Sequence, residues 1–177
     1  MRSHAFCREE GKYNGDIRHT VLIAGIGNRL MGDDGLGEYV VSRLKFRPWP
    51  GNVRLVNMAC SPLNFLNEIQ QADTLIVVDA IRAGTQPGTI HRITQPGPLK
   101  TGSASDNGFA RNSHGFSILD TVELARIQTG RPYQVIIYGI EPSDCKPGIG
   151  LSPPVTNASH ALEQLVYRDC LSNWQFA

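Results

Sequence analysis

What this 177-residue sequence lacks narrows it first. It carries no excess of either charge: seventeen Lys and Arg stand against sixteen Asp and Glu, a net of +1. The basic footprint that neutralises nucleic-acid phosphates is therefore missing, and no nucleic-acid partner is expected. It has no long apolar run. The strongest stretches, Val21 to Ala24 and Leu75 to Val78, fall far short of the roughly 18 to 20 residues that span a bilayer, so no membrane insertion is expected. Cysteine is scarce, and Cys7, Cys60, Cys145 and Cys170 form no C-x-x-C pair. A chain large enough to build its own core needs no disulfide framework, so free thiols are expected. Arg2 and Arg8 are followed by Glu9 and Glu10 rather than by an apolar segment. Neither a secretory nor a transit signal is read there, and the cytoplasm is the expected location. Also absent are H-E-x-x-H, G-x-S-x-G, G-K-[ST] and any paired Cys/His metal motif, which removes the zincins, the serine hydrolases with a nucleophile elbow, the P-loop enzymes and the zinc fingers.

What is there describes a globular domain with many tight turns: hydrophobic residues make up 41%, with 18 Gly and 11 Pro, a balance that disordered chains do not have. The length fits one domain better than two. Residues 1–19 are polar and without hydrophobic period, so they are expected to be a mobile extension ahead of a single domain over 20–177.

Val21 to Ala24, ending in Gly25, reads as a strand buried on both faces. Leu36, Val40, Val41 and Leu44 repeat with a helical period before Pro48 and Pro50. Val53 to Met58 supplies a second strand, and Ser61 and Pro62 suit the N-cap and first position of a helix carrying Leu63, Leu66 and Ile69. Thr74 to Asp79 gives a third strand. Alternation of this kind implies crossover helices and a largely parallel sheet covered on both faces, the α/β class. The short polar strand Thr89 to Ile93 follows by only nine residues, too few for a crossover helix, so it is expected at an edge and antiparallel. Residues 94–113 form a long polar loop, of the kind that is usually functional or mobile. A helix is expected from His114 through Phe116, Leu119 and Val122 to Gly130. Tyr133 to Ile140 reads as the fifth strand, 141–154 as a Pro/Gly-rich loop, and Val155 to Leu171 as the last helix.

Four features could carry chemistry. Gly25-Ile26-Gly27-Asn28-Arg29-Leu30 suggests a dinucleotide fingerprint, but Leu30 stands where the third glycine belongs and the second strand ends without an acid for a ribose hydroxyl. Gly25 and Gly27 then serve a tight turn. Asp33 and Asp34 precede the first helix; one of them is expected to cap it, leaving the other for a different task. Asp79 ends an apolar strand at the edge where α/β sheets bind ligands, beside Asp34, although a loop-capping carboxylate would look the same. His114 alone among the five histidines stands at a loop-to-helix junction. Two carboxylates and an imidazole converging on one edge make a plausible site for a divalent metal with open positions. Cys60, with His114 as base, is a rival nucleophile that nothing beyond its location supports.

With these residues in view, the chain resembles the hydrogenase maturation proteases, which trim the C-terminus of the large subunit of nickel-iron hydrogenases. The resemblance lies in Gly25-Ile26-Gly27-Asn28, Leu30, Asp33-Asp34-Gly35 and Gly37, then Ile76-Val77-Val78-Asp79-Ala80 with Pro87-Gly88-Thr89, then Ser113-His114-Gly115. It continues through Tyr138-Gly139-Ile140-Glu141-Pro142 and Gly148-Ile149-Gly150-Leu151-Ser152-Pro153, covering residues 20–170. It implies a three-layer α/β/α sandwich around five strands with the fourth antiparallel, and a monomer that acts as an acidic, nickel-recognising endopeptidase. Asp34, Asp79 and His114 would contact the metal, with Asp34 and Asp79 catalytic and Gly27, Asn28 and Gly115 touching the substrate. Some members carry Glu at the position of Asp34; either residue gives an oxygen ligand. Nickel would arrive in the precursor, with none permanently bound to this chain. Hydrolysis could use nickel as Lewis acid or a carboxylate as general base. The rival from another class is a chaperone that holds the metal or the precursor without cutting it.

Overall fold

A computed structural model describes residues 19–96 and 117–174. Five strands, β1 (Val21–Ile26), β2 (Val53–Ala59), β3 (Thr74–Ala80), β4 (Ile90–Pro96) and β5 (Gln134–Ile140), alternate with helices α1 (Leu36–Leu44), α2 (Leu66–Gln70), α3 (Ile118–Thr129) and α4 (Pro153–Trp174). The strands lie in the order β2-β1-β3-β5-β4. All neighbours are parallel except β4, which runs antiparallel to β5 from Ile90↔Ile140 to Pro96↔Gln134. The class, the layers and the direction of the fourth strand agree with the sequence reading.

The three central strands are apolar through their middles because helices cover both faces. Val21, Ile23, Ile76, Val78, Ile136 and Tyr138 point to one side, against Leu36, Val40 and Leu44 of α1 and Leu162 and Val166 of α4. Their sequence neighbours Leu22, Ala24, Leu75, Val77, Val135 and Ile137 point to the other, against Ile69 of α2 and Val122 and Ala125 of α3. Side chains alternate along a strand, and each Leu, Ile or Val so buried contributes about 1.5 to 3 kcal/mol. No described helix is long and apolar enough to cross a membrane.

Several expectations are corrected. β4 runs on through Pro96, into the segment read as loop, because its backbone keeps pairing with β5 up to Gln134. The helix expected after Ser61 opens as a 3-10 turn, Pro62–Phe65, and Ser61 makes no side-chain cap bond. The third helix starts at Ile118, not His114. Ser117 takes the Asp120 N–H on its hydroxyl and Asp120 takes the Ser117 N–H, closing a capping box that fixes the start there. The last helix begins two residues early, at Pro153.

Candidate active site at the sheet switch point

From β1 the chain crosses outward to β2, and from β3 it continues toward β5 on the opposite side. The order therefore reverses between β1 and β3, and in an open α/β sheet a crevice opens at the carboxyl ends of the strands at that point. Asp34 follows β1 and Asp79 is the next-to-last residue of β3, so they flank it. The first turn of α1 sits unusually close to both strands. A Cβ on Gly37 would collide with the Ile26 backbone and the Val78 carbonyl oxygen, and one on Gly25 with the Gly37 carbonyl oxygen. Bare glycine backbone lets the helix, and Asp34 just ahead of it, rest on the strand ends.

Asp34 is half-buried, and its Oδ2 accepts the Asn28 backbone N–H at 2.7 Å. Gly27 adopts φ +117°, in the left-handed region, and any side chain there would strike the Asp34 carbonyl oxygen. The Asn28 side-chain oxygen accepts the Leu30 N–H at 3.0 Å. Gly27 and Asn28 thus build the turn that holds Asp34. Asp79 accepts the Ala80 N–H at 2.8 Å on Oδ1. Burial pushes its carboxyl up to about 7; the Ala80 N–H opposes the rise and the nearby Asp34 charge adds to it. Asp34 and Asp79 are thus near enough for the charge of Asp34 to add to the raised titration of Asp79. His114 and Gly115 lie outside the described residues.

Neither aspartate of the Asp33-Asp34 pair caps a helix: the 3-10 turn Gly32–Gly35 and α1 have no side-chain cap bond. Asp33, 1% exposed, instead binds a distant loop. It accepts N–H groups from Ser143, Asp144 and Ser152 and the Ser152 hydroxyl, between 2.6 and 3.1 Å. Glu141 does the same for the β3–β4 connection, accepting Ala83, Gly84 and Thr85 N–H groups and the Thr85 hydroxyl. Burial alone would push Glu141 up; the Ala83 and Thr85 donors outweigh it and hold the carboxyl below the usual range. These two clamps had no role in the sequence reading. One signal was available for Glu141, which terminates an apolar strand as Asp79 does. Apart from the family resemblance, which named Asp34, the residue pattern did not distinguish Asp33 from Asp34, because the partners of Asp33 lie about 110 to 119 residues away.

Cys60, Cys145 and Cys170 are free thiols. Burial pushes the Cys60 thiol up, and the charges of Asp34 and Asp79 push it further. A nucleophilic cysteine needs the opposite field, which argues against the cysteine route.

The family model for hydrogenase maturation proteases matches residues 38–169, and the chain belongs to that family. Asp34 stands just ahead of the matched stretch, and Asp79 lies within it. The hydrogenase expression/formation protein HoxM of Azotobacter vinelandii is 31% identical over 138 residues, 77% of this chain and 65% of that protein. The hydrogenase 2 maturation protease of Escherichia coli strain K12 is 28% identical over 151 residues, 82% of this chain and 88% of that protein. The chain spans just under two thirds of HoxM and of the HupM protein of Azotobacter chroococcum mcd 1, at 65% and 64%. Among solved structures, the hydrogenase maturating endopeptidase HybD from E. coli superposes with a TM-score of 0.72 at 23% identity, over 86% of this chain and 93% of that one. The maturation protease HycI from Thermococcus kodakarensis KOD1 gives 0.70 at 24%, over 89% and 96%. At those identities the likeness concerns the fold.

Proposed function

We propose that this chain is an endopeptidase that removes the C-terminal extension of a nickel-iron hydrogenase large-subunit precursor after nickel insertion. The observation that carries the reading is the Asp34 and Asp79 pair at the switch-point crevice of a chain in this family. Nickel is part of the substrate, and Asp34, Asp79 and His114 complete its coordination, so cleavage waits for correct loading. Carboxylate oxygens and an imidazole nitrogen suit a borderline divalent ion. No metal is resident in the free protein on this reading. Gly27, Asn28 and Gly115 line the approach of the peptide.

Two chemical routes are open to these residues. Nickel polarises the scissile carbonyl while the side chains hold it in place, or a carboxylate takes a proton from the attacking water. A carboxyl titrating near 7, as at Asp79, suits the second, since a proton taken from water can be handed on to the departing amine. The protein is expected to act as a cytoplasmic monomer.

The test is the mass of nickel-loaded and nickel-free precursor after incubation with the purified chain. Loss of the C-terminal extension from the loaded form alone is expected. An intact precursor held in a complex would identify a chaperone, and equal cleavage of both forms would remove nickel recognition.

A further inference from the structure

Arg82 stands three residues past Asp79, on the connection from β3 to β4, and its backbone is fixed on both sides. The Ile81 N–H donates to the Ile140 carbonyl oxygen at 3.0 Å, and the Ala83 N–H to Glu141 Oε2 at 2.8 Å. The flanking residues are thus tied to the end of β5, while Arg82 itself is exposed. Its guanidinium lies near the Cys145 thiol and in the field of Asp144 and Asp34, which raise its titration above the ordinary arginine range. Cys145 follows Asp144, whose N–H is bound by Asp33. The Glu141 and Asp33 clamps therefore hold the two loops that meet at Arg82, beside Asp34.

The other arginines of the described residues all end on an oxygen. Arg29 reaches Glu38, Arg54 the Gln71 side chain and Arg126 the Pro132 carbonyl, and the rest reach Asp or Glu. Arg82, with five N–H donors, has neither a side-chain hydrogen bond nor an ion pair to an oxygen among the described residues. A guanidinium on a fixed backbone, exposed beside Asp34 and without an oxygen partner among the described residues, can receive one from outside.

We infer that Arg82 receives the oxygen of the scissile carbonyl and offsets the negative charge that develops on it. The inference rests on the protease reading above. The water oxygen bonds to the carbonyl carbon as one water proton passes to a site carboxylate. The carbonyl electron pair moves onto the oxygen facing Arg82, then returns as the C–N bond breaks and the amine nitrogen takes the proton. Asp33, Asp34 and Asp144 crowd this edge with negative charge that opposes an oxyanion. A fixed cation at that place favours the transition state over the neutral substrate.

Arg82→Gln, Arg82→Lys and Cys145→Ala test this with nickel-loaded precursor, by single-turnover cleavage, precursor affinity and melting. Arg82→Gln is expected to slow cleavage about 100- to 1,000-fold, the usual cost of one oxyanion donor, with affinity held within about threefold. Its melting midpoint stays at the wild-type value, Arg82→Lys recovers part of the rate, and Cys145→Ala cleaves as wild type does. Cleavage by Arg82→Gln at the wild-type rate overturns the assignment. So does a defect confined to affinity, which would mean that Arg82 holds a carboxylate of the precursor in the ground state. A Cys145→Ala variant as slow as Arg82→Gln also overturns it, making the arginine a loop tether. Wild-type protein that leaves the loaded precursor whole removes the protease reading and this one together, whereas normal wild-type cleavage beside an unimpaired Arg82→Gln removes only the role of Arg82.

Discussion

Asp33 and Ser152 are joined twice, the Ser152 N–H reaching Oδ1 at 2.6 Å and its hydroxyl reaching Oδ2 at 2.8 Å. The residue immediately before Asp34 therefore ties the β1–α1 turn to the start of α4. Around it the backbone continues the join: Gly32 N–H donates to the Gly148 carbonyl and Gly148 N–H to the Leu30 carbonyl, both at 2.9 Å. The candidate site stands on this union of two loops.

Asp33→Ala should expose the dependence. Four donors lose a charged acceptor, but the loop that carries them can turn toward water. The expected cost is about 3 kcal/mol, the upper end for a hydrogen-bonded charge. Denaturant titration measures it, and hydrogen exchange should show lost protection at the amides of Ser143, Asp144 and Ser152. Unchanged exchange there would contradict the clamp.

Asp79→Asn should stabilise the protein in a pH-dependent way. The fold disfavours the charged carboxylate, since burial raises its titration to about 7. Wild-type stability is thus fully present below the ordinary carboxylate range and is lost as the pH climbs through about 7. Asparagine stays neutral and can still accept the Ala80 N–H. The variant should melt a few degrees above wild type at about pH 8 and together with it at about pH 4, while cleavage is lost. A melting difference independent of pH would refute the buried titration.

His114→Ala separates site from scaffold. Because α3 starts at Ile118 under its own capping box, His114 is not needed to begin the helix. Precursor cleavage should fall much further than stability. A structural hydrogen-bonding role would instead cost about 1 to 3 kcal/mol and reduce cleavage only as far as folding is reduced. The melting midpoint set against the cleavage rate decides, and a folded variant that cleaves normally would remove His114 from the site.

By itself the sequence determined the layers and the sheet edge at which the candidate site lies. Continuous apolar runs such as Leu75 to Val78 can exist only in strands covered on both faces. The nine-residue link after Asp79 left no room for a crossover, so the direction of β4 followed from length alone. Asp79, closing such a run, stood out at the edge where α/β sheets bind ligands, although Glu141 shows that a carboxylate after an apolar strand can equally hold a loop. Tertiary structure decided the task of Asp33, whereas Asp34 was singled out beforehand by the family resemblance and not by the local residue pattern. Asp33 and Asp34 are neighbours with the same side chain, and local pattern offers helix capping to both. In the folded chain the return of Ser143, Asp144 and Ser152 to Asp33 makes it the clamp, while Asp34 takes the Asn28 N–H. The same holds for Arg82, which has no oxygen partner among the described residues only because of where the ends of β3 and β5 come to rest. A sequence pattern reports the periodicity of burial, which is local. The partner of a polar atom is a contact between distant segments, and it exists only once the chain has folded.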